Sequence, residues 1–361
     1  MGAAWSFAAG PARLPDAVLA RAATELFERG ADGAAAIERP FTGEAFRAVL
    51  ARARTRLAEL LALPDGYHVL FMAGGAMHQF ALLPLNLCGG GQPAAYADSG
   101  YWSRRAIAEA RRFTNVEVVA RHAGEHALAA PCTHGWRLPR EFAYCHITPN
   151  ETADGLAWPE LPDTGAVPLV ADATSCFLAA PLDVARFGLI YASAQKNIGP
   201  AGLTVVIVRE DLLARTPGAV PSAHAYAEQA RAGNCVNTPP TAAVQVAALV
   251  FDWIAEQGGL GAMADANRRK ARCLYDTVDA SGGFYVAPVE TAHRSTTNVR
   301  FHLHDERLTA RFLSEAAECG LHHLGGHPQV GGVRASLYNA MPQAGAWALA
   351  DFMNDFLRRA G

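Results

Sequence analysis

A single lysine lies between two apolar runs in the stretch Leu189-Ile-Tyr-Ala-Ser-Ala-Gln-Lys-Asn-Ile-Gly-Pro-Ala-Gly202. The apolar run before it and the run at 203–208 after it are typical of buried strands, and Gly199-Pro200 predicts a tight turn. An amine held on such a turn is desolvated, which lowers its pKa and makes it a better nucleophile. The position of Lys196 suits a Schiff-base lysine, although a surface lysine after a strand is the alternative.

A second apolar strand, in Pro168-Leu-Val-Ala-Asp-Ala-Thr-Ser175, ends in a carboxylate. Pyridoxal phosphate reacts through a lysine amine and acts as an electron sink when a buried carboxylate keeps its ring nitrogen protonated. Asp172, then one βα segment, then Lys196 fits that arrangement. Asp172 also suits a helix N-cap or a turn. The two residues together favour a pyridoxal-phosphate site.

Composition and charge narrow the class of protein. The net charge of −3 and the lack of a basic run predict no nucleic-acid partner and no attraction to an acidic membrane. No apolar stretch is long enough to span a bilayer, and no secretory signal is evident. The seven cysteines are scattered without a C-x-x-C pair, and no H-E-x-x-H pattern occurs. We therefore expect reduced thiols, no bound metal and a cytoplasmic location.

Short continuous apolar runs predict an α/β fold with a mostly parallel sheet, because parallel strands are covered on both faces. The runs lie at residues 67–72, 143–147, 169–171, 189–192 and 203–208. Gly74 and Gly75 follow the first run and precede a predicted helix at 77–83, an order in which helix N–H groups bind phosphate. A plain βα loop is the alternative interpretation of the two glycines.

The pattern changes near Asn237-Thr-Pro-Pro240, where apolar positions at helical spacing begin. They predict a long helix at 241–257 that ends at Gly258-Gly259. Strands are expected next at 298–303 and 333–337, with helices at 308–319 and 346–358. We predict three parts: an N-terminal arm (1–15), a large cofactor-binding domain (16–259) and a smaller C-terminal α+β domain (260–361).

Motifs that match one enzyme family run from about residue 7 to residue 356. They are Ala9-Gly-Pro-Ala12, Val69-Leu-Phe71 with Gly74-Gly75, Tyr101-Trp102, Pro149-Asn-Glu-Thr152, Ala194-Gln-Lys-Asn-Ile-Gly-Pro-Ala-Gly-Leu-Thr204, Asn237-Thr-Pro-Pro-Thr241 and Val330-Gly-Gly-Val-Arg-Ala-Ser-Leu-Tyr-Asn-Ala-Met-Pro342. Through them the chain resembles the phosphoserine aminotransferase family. These are fold-type I, class V aminotransferases that depend on pyridoxal phosphate.

The resemblance implies roles for the residues around the cofactor ring. Lys196 would form the Schiff base with the cofactor and later move a proton, and Asp172 would pair with the ring nitrogen. Trp102 would stack on the ring, and Thr152 would hydrogen-bond its phenolic oxygen. The substrate α-carboxylate would be clamped by Arg334.

The resemblance also implies how the cofactor phosphate is held. Gly75, Ala76 and Gln195 would bind it from the same chain. Asn237 and Thr238 would reach it from the neighbouring subunit. The active unit is therefore expected to be a homodimer with shared active sites.

The chain departs from the family at the far end of the substrate pocket, where the family places cations. Phe41 and Thr42 replace a His-Arg pair, Met77 stands where some members have arginine, and Pro328 replaces the arginine that follows His327. A phosphate taken from water needs charge-assisted partners. The preferred hypothesis is therefore a 2-amino or 2-oxo acid substrate with a neutral or apolar side chain.

Two alternatives remain open. The chain is a genuine phosphoserine:2-oxoglutarate aminotransferase if Arg39, His78 or Arg300 restores a cationic pocket. It is a non-transaminating enzyme, such as a lyase or decarboxylase, if the same Lys196 and Asp172 serve another reaction.

Overall fold

The computed structural model describes residues 4–124 and 127–361, so the first three residues of the predicted N-terminal arm lie outside it. The α-helices are α1 (Asp16–Phe27), α2 (Glu44–Leu61), α3 (Ala76–Leu87), α4 (Tyr101–Ala110), α5 (Glu210–Leu213), α6 (Tyr226–Arg231), α7 (Thr241–Glu256), α8 (Gly259–Asp279), α9 (Thr309–Glu318) and α10 (Gln343–Ala360). The strands are β1 (Trp5–Ser6), β2 (Tyr67–Ala73), β3 (Ala94–Asp98), β4 (Val116–Arg121), β5 (Cys145–Ile147), β6 (Asn150–Glu151), β7 (Leu156–Ala157), β8 (Leu169–Asp172), β9 (Leu189–Ser193), β10 (Leu203–Arg209), β11 (Tyr285–Val286), β12 (Asn298–Leu303), β13 (Leu321–His322) and β14 (Val333–Ser336).

A seven-stranded sheet forms the centre of the predicted large domain, in the order β2-β10-β9-β8-β5-β3-β4. Only β10 runs antiparallel to its neighbours β2 and β9. The other pairs are parallel. The predicted mostly parallel sheet is confirmed.

Both faces of this sheet are covered, because alternate residues of each strand enter different cores. Val69 and Phe71 of β2 pack in one core with residues of α1, α2 and α7. Leu70 and Met72 of the same strand pack in a second core with residues of α3 and α4. Burial on both faces explains why the strands are continuous apolar runs.

The strand directions place five loops at one edge of the sheet. Because β10 is antiparallel to both neighbours, β2 runs in the same direction as β9, β8, β5 and β3. Their carboxyl ends therefore lie along one edge, the usual position of a ligand site in an open α/β sheet. Each of these strands is followed by a segment that carries predicted site residues.

The C-terminal part contains an antiparallel sheet, β11-β12-β14, with a core of its own. Strand β1 of the N-terminal arm pairs with β13, and Phe7 lies in this core. Helix α8 contributes Leu260 to the core of the large sheet and Leu274 to the small core, so it belongs to both. A boundary at residue 260 falls at the start of this helix and stays a prediction.

Some elements differ from the sequence-based expectation. Strands β3 and β4 were not predicted, because β3 is rich in alanine, a strong helix former, and β4 is interrupted by charged residues. Helix α8 was also missed. Gly258 has a φ of +97° and separates α7 from α8 by a single turn, so the glycine pair ends one helix and starts the next.

None of the helices in the described ranges is both long enough and apolar enough to cross a membrane.

Candidate active site

Lys196 lies on the turn after β9 and is almost fully buried. Its Nζ donates a hydrogen bond to Oγ1 of Thr152 at 2.5 Å. Burial lowers the pKa of Lys196 to about 8, although the negative charge of Asp172 opposes this shift. A useful fraction of the amine is therefore unprotonated near neutral pH, as a nucleophilic lysine requires.

Asp172 ends β8 and is buried. Burial raises its pKa, while the hydrogen bond from Thr174 and the positive charge of Lys196 oppose the increase. The Thr174 backbone N–H donates to Oδ1 of Asp172 at 3.0 Å. This carboxylate forms no ion pair with a described residue, and it lines the cavity. A cationic ring nitrogen bound in the cavity could therefore pair with it.

The neighbours of Asp172 on the sheet are held neutral. Tyr191 lies opposite Asp172 in the β8–β9 register, and its hydroxyl is 2.9 Å from Nε2 of His146. Burial lowers the pKa of His146 to about 3, so this imidazole is uncharged at neutral pH. Lys196 is the nearby group that contributes positive charge to Asp172.

A cavity of about 310 Å³ opens at the carboxyl edge of the sheet. It is lined by Gly75, Ala76, Met77, Trp102, Thr148, Asn150, Thr152, Asp172, Thr174, Ser175, Gln195 and Lys196. Most of the residues proposed for the cofactor meet here. The sequence-based analysis missed Thr148, Asn150, Thr174 and Ser175, which could have been found as polar residues directly after the apolar runs that form β5 and β8.

One end of the cavity suits a phosphate. Helix α3 begins at Ala76, directly after Gly75, and the first N–H groups of a helix have no partner within it. Gly74 has a φ of +108°, and its N–H donates to the carbonyl of Gly202 at 3.0 Å, which fixes the turn. Gln195 lies beside this end, where its side-chain oxygen accepts a hydrogen bond from Ser193.

Trp102 forms a wall of the same cavity. Its ring centroid is 6.0 Å from Nζ of Lys196. Its indole N–H is buried and has no hydrogen-bond partner among the described residues. A flat aromatic face, a desolvated amine, a buried carboxylate and a helix N-terminus in one cavity fit pyridoxal phosphate.

Arg334 and Arg300 lie side by side on the small sheet, paired in the β12–β14 register. The Nε atoms of both are buried without a hydrogen-bond partner in the described part of the chain. Burial lowers the pKa of both guanidinium groups. Arg300 donates to the carbonyl of Val330 at 2.9 Å and lies 2.8 Å from Nε2 of His302.

His327 lies near the cavity but is not part of its lining. Its ring centroid is 4.2 Å from that of Tyr101 and 6.1 Å from that of Trp102. Burial, with the positive charge of Arg334, lowers the pKa of His327. Arg334 is likewise not among the residues that line the cavity.

Other predicted residues do not line this cavity. Phe41 packs against the core of the large sheet, and Thr42 and Pro328 are exposed. Asn237 and Thr238 are exposed as well and do not line the cavity of their own chain.

The residues considered as replacement cations have other partners. Arg39 forms an ion pair with Asp32 at 3.1 Å. His78 uses Nδ1 to accept the N–H of Gly75 at 3.2 Å. Of the three, Arg300 is the one that lies beside the predicted carboxylate clamp Arg334.

Across residues 4–124 and 127–361, no group of three or more His, Cys, Asp or Glu side chains is arranged to hold a metal ion. All seven cysteines are unpaired.

Comparison with known proteins identifies the family. The profile of the family described as Aminotransferase class-V matches residues 4–349. A phosphoserine aminotransferase of Acidithiobacillus ferrooxidans is 49% identical over 357 residues, which cover 99% of each chain.

Solved structures agree with the sequence comparison. Phosphoserine aminotransferase from Bacillus circulans subsp. alkalophilus superposes with a TM-score of 0.96 at 42% identity over 99% of each chain. The pyridoxal-phosphate-bound phosphoserine aminotransferase of Trichomonas vaginalis gives a TM-score of 0.91 at 35% identity, over 98% of this chain and 100% of that one. The predicted fold class and resemblance are therefore confirmed, and the chain belongs to the class-V aminotransferase family.

Proposed function

We propose that this pyridoxal-phosphate-dependent aminotransferase acts on a 2-amino/2-oxo acid pair whose side chain is neutral or apolar. The observation that carries the proposal is the identity of the residues at the distal positions, Phe41, Thr42, Met77 and Pro328, none of which is cationic. Met77 lines the cavity, so an apolar side chain contacts the space that a substrate would enter.

When bound, pyridoxal phosphate supplies an electron sink for the bond that breaks at the substrate Cα. Lys196 would bind the cofactor through Nζ and later carry the proton between Cα and the cofactor, which its pKa of about 8 supports. Asp172 would hold the proton of the ring nitrogen, and Thr152 would hydrogen-bond the phenolic oxygen. Trp102 would cover the ring and exclude water.

Arg334 would bind the substrate α-carboxylate through two parallel hydrogen bonds. Its side chain makes no hydrogen bond or ion pair with any residue that the structure describes, although its Nε is buried. A partly buried guanidinium without a partner is costly, so an anionic ligand that pairs with it gains affinity.

The active unit is proposed to be a homodimer. Asn237 and Thr238 are exposed on the segment before α7, which leaves them free to reach the cofactor phosphate of a second copy. Gly75, Ala76 and Gln195 would hold that phosphate from its own chain. A cytoplasmic location is also proposed, since seven unpaired cysteines suit a reducing compartment.

Phosphoserine is the second candidate substrate. It is favoured by the name of the Acidithiobacillus ferrooxidans relative and by the position of Arg300 beside Arg334. Against it, a phosphate dianion that loses several charged partners binds more weakly by orders of magnitude.

A scan of half-reactions tests the proposal. The cofactor-loaded enzyme is mixed with single amino acids, and its visible absorption is followed as it converts to the pyridoxamine form. We expect fast conversion by neutral amino acids and slow conversion by phosphoserine. Fast conversion by phosphoserine and glutamate, with none by neutral amino acids, would reject the neutral pocket. Consumption of substrate without any pyridoxamine form would indicate a lyase or decarboxylase.

A further inference from the structure

The first turn of α4 is held by two carboxylates from the hairpin formed by β6 and β7. Glu151 accepts the backbone N–H of Trp102 at 2.8 Å and that of Ser103 at 2.9 Å. Asp154 accepts the N–H of Tyr101 at 2.8 Å. Three successive N–H groups that have no partner inside the helix are therefore bound by anions, which also suit the positive end of the helix dipole.

The approach of the hairpin to α4 is close enough to restrict residue 100. A Cβ added to Gly100 would lie 2.5 Å from Oδ2 of Asp154 and 2.9 Å from Cδ of Glu151. Ser99 strengthens the contact, because its hydroxyl donates to Oε1 of Glu151 at 3.1 Å. The turn before α4 thus has little freedom to move away from the carboxylates.

Glu151 is costly as a purely structural cap. It is fully buried and has no ion pair with any described residue. Burial, together with the nearby Asp154, raises its pKa above the usual range of a glutamate, while the hydrogen bonds from Ser103 and Trp102 oppose the increase. Helix N-termini are usually capped by a serine, threonine, asparagine or aspartate at the N-cap position itself. Here the N-cap is Gly100, and a carboxylate from another segment is buried to bind the first turn, which carries the cost of desolvating a charge.

The location of Glu151 connects it to the cofactor cavity from two directions. The next residue, Thr152, accepts the hydrogen bond from Nζ of Lys196. Glu151 also binds the backbone N–H of Trp102, and the ring of Trp102 faces the same Nζ. One short segment therefore holds both the partner of the lysine and the backbone of the tryptophan.

We propose that Glu151 is a positioning residue that fixes the indole of Trp102 relative to Lys196 and so sets how tightly the cofactor is held. This inference rests on the proposed role of Trp102 as the residue that covers the cofactor ring. Each oxygen of Glu151 accepts at least one N–H donor, so the amide of glutamine cannot replace it without turning its own N–H₂ group toward a donor.

The test compares Glu151→Gln with a matched control, Asp98→Asn. Asp98 is also a buried carboxylate next to α4, but it pairs with Arg104 and Arg121 and does not bind the first turn. We expect Glu151→Gln to raise the Kd for pyridoxal phosphate about 10- to 100-fold and to weaken the visible circular dichroism of the bound cofactor. The control should lower the melting temperature and leave the Kd unchanged.

A double-mutant cycle shows whether Glu151 acts through Trp102. In a Trp102→Leu background, Glu151→Gln should change the Kd by less than about twofold, because the group that it positions is gone. If Glu151→Gln does not fold, Glu151→Asp keeps the charge on a shorter arm, and its Kd should lie between those of wild type and Trp102→Leu.

Three outcomes would overturn the inference. One is an unchanged Kd and unchanged circular dichroism in Glu151→Gln, and another is an equal loss of affinity in both backgrounds. The third outcome is a Kd of Glu151→Asp that equals the Kd of wild type. Failure of wild type to take up any pyridoxal phosphate would remove the cofactor assignment as well, whereas normal uptake by wild type and Glu151→Gln alike would remove this inference alone.

Discussion

Lys196 and Asp172 show how one buried environment shifts two groups in opposite directions. Burial lowers the pKa of the lysine to about 8 and raises that of the aspartate. Each shift favours the uncharged form, while the attraction between the two groups opposes both. The amine therefore loses its proton readily, and the carboxylate gains from a cationic ring nitrogen placed beside it.

A lysine substitution tests the covalent attachment. Lys196→Ala should abolish the borohydride-dependent tag that peptide mapping finds on this turn in wild type, and should reduce transamination at least about 100-fold. In wild-type apoenzyme, the rate of cofactor attachment should rise with pH and level off above about pH 8, because only the unprotonated amine attacks. The only other lysine in the sequence is Lys270, on α8, and a tag on that residue instead would contradict the assignment.

Met77 offers a direct test of the neutral pocket. Met77→Arg should raise the rate of the phosphoserine half-reaction at least about tenfold, because a cation at the cavity wall provides one charge-assisted contact. Met77→Gln has similar bulk without the charge and serves as the control. Equal rates in the two variants, or no gain in Met77→Arg, would count against a substrate side chain at this position.

At the scale of elements, the cavity is made by strand ends and by two helix N-termini. The carboxyl ends of β2, β3, β5, β8 and β9 supply its lining, and α3 and α4 begin beside it. At the start of α3, His78 accepts the N–H of Gly75, and no described residue accepts the N–H groups of Ala76 and Met77. The first turn of α4, by contrast, is already bound by Glu151 and Asp154. The N-terminus of α3 is therefore available to bind a phosphate, and the N-terminus of α4 is not.

Two glycine variants separate the effect of backbone strain on stability from the effect of the turn before α3 on cofactor binding. Gly74 has a φ of +108°, and a Cβ there would lie 2.4 Å from Nδ1 of His78. Gly66 has a φ of +79° with nothing within 4 Å, so Gly66→Ala measures backbone strain alone. We expect Gly66→Ala to lower the free energy of unfolding by about 1 kcal/mol with an unchanged cofactor Kd.

Gly74→Ala should cost at least as much stability and also raise the cofactor Kd, by about tenfold. The ring of His78 must swing away, which breaks its hydrogen bond to the Gly75 N–H and disturbs the start of α3. Urea unfolding and cofactor titration provide the two measurements. An unaffected Kd in Gly74→Ala would show that this turn does not hold the phosphate.

At the scale of the whole molecule, the lysine turn is tied to the C-terminal part. Oδ1 of Asn197 accepts the backbone N–H of Asn339 at 2.9 Å. The side chain of Asn339 is bonded in turn to Asn267 on α8, at 2.8 Å. Since α8 belongs to both cores, these hydrogen bonds connect the turn that carries Lys196 to the end of the segment that carries Arg334 through a helix shared by the two cores.

A mixed-dimer experiment tests shared active sites. Lys196→Ala and Asn237→Asp should each be nearly inactive, the second because its new charge repels the cofactor phosphate. When the two variants are co-expressed, half of the dimers are mixed. One site of each mixed dimer has both native residues, Lys196 from one chain and Asn237 from the other, and its second site has both substitutions. Random pairing should then restore about a quarter of wild-type activity. No recovery, with mixed dimers present, would show that each site is complete in one chain.

Local pattern was enough to predict several elements and to single out Lys196 and Asp172, which both line the cavity. The apolar runs predicted β2, β5, β8, β9 and β10, and Gly74-Gly75 predicted the start of a helix beside the cavity. It was not enough for β3, where alanine favours a helix, or for α8, which begins one residue after the glycine that ends α7. In these elements tertiary burial outweighs the local preference.

The chain by itself determined the chemistry: a lysine after one strand, an aspartate at the end of another and the motifs of the class-V aminotransferases were readable because each is encoded within a few residues. Only the tertiary structure decided which distant groups meet. It placed Glu151 under the first turn of α4, and Arg300 beside Arg334. Such contacts depend on the order of strands in a sheet and on hairpin placement, which packing of the whole chain selects and local periodicity does not encode.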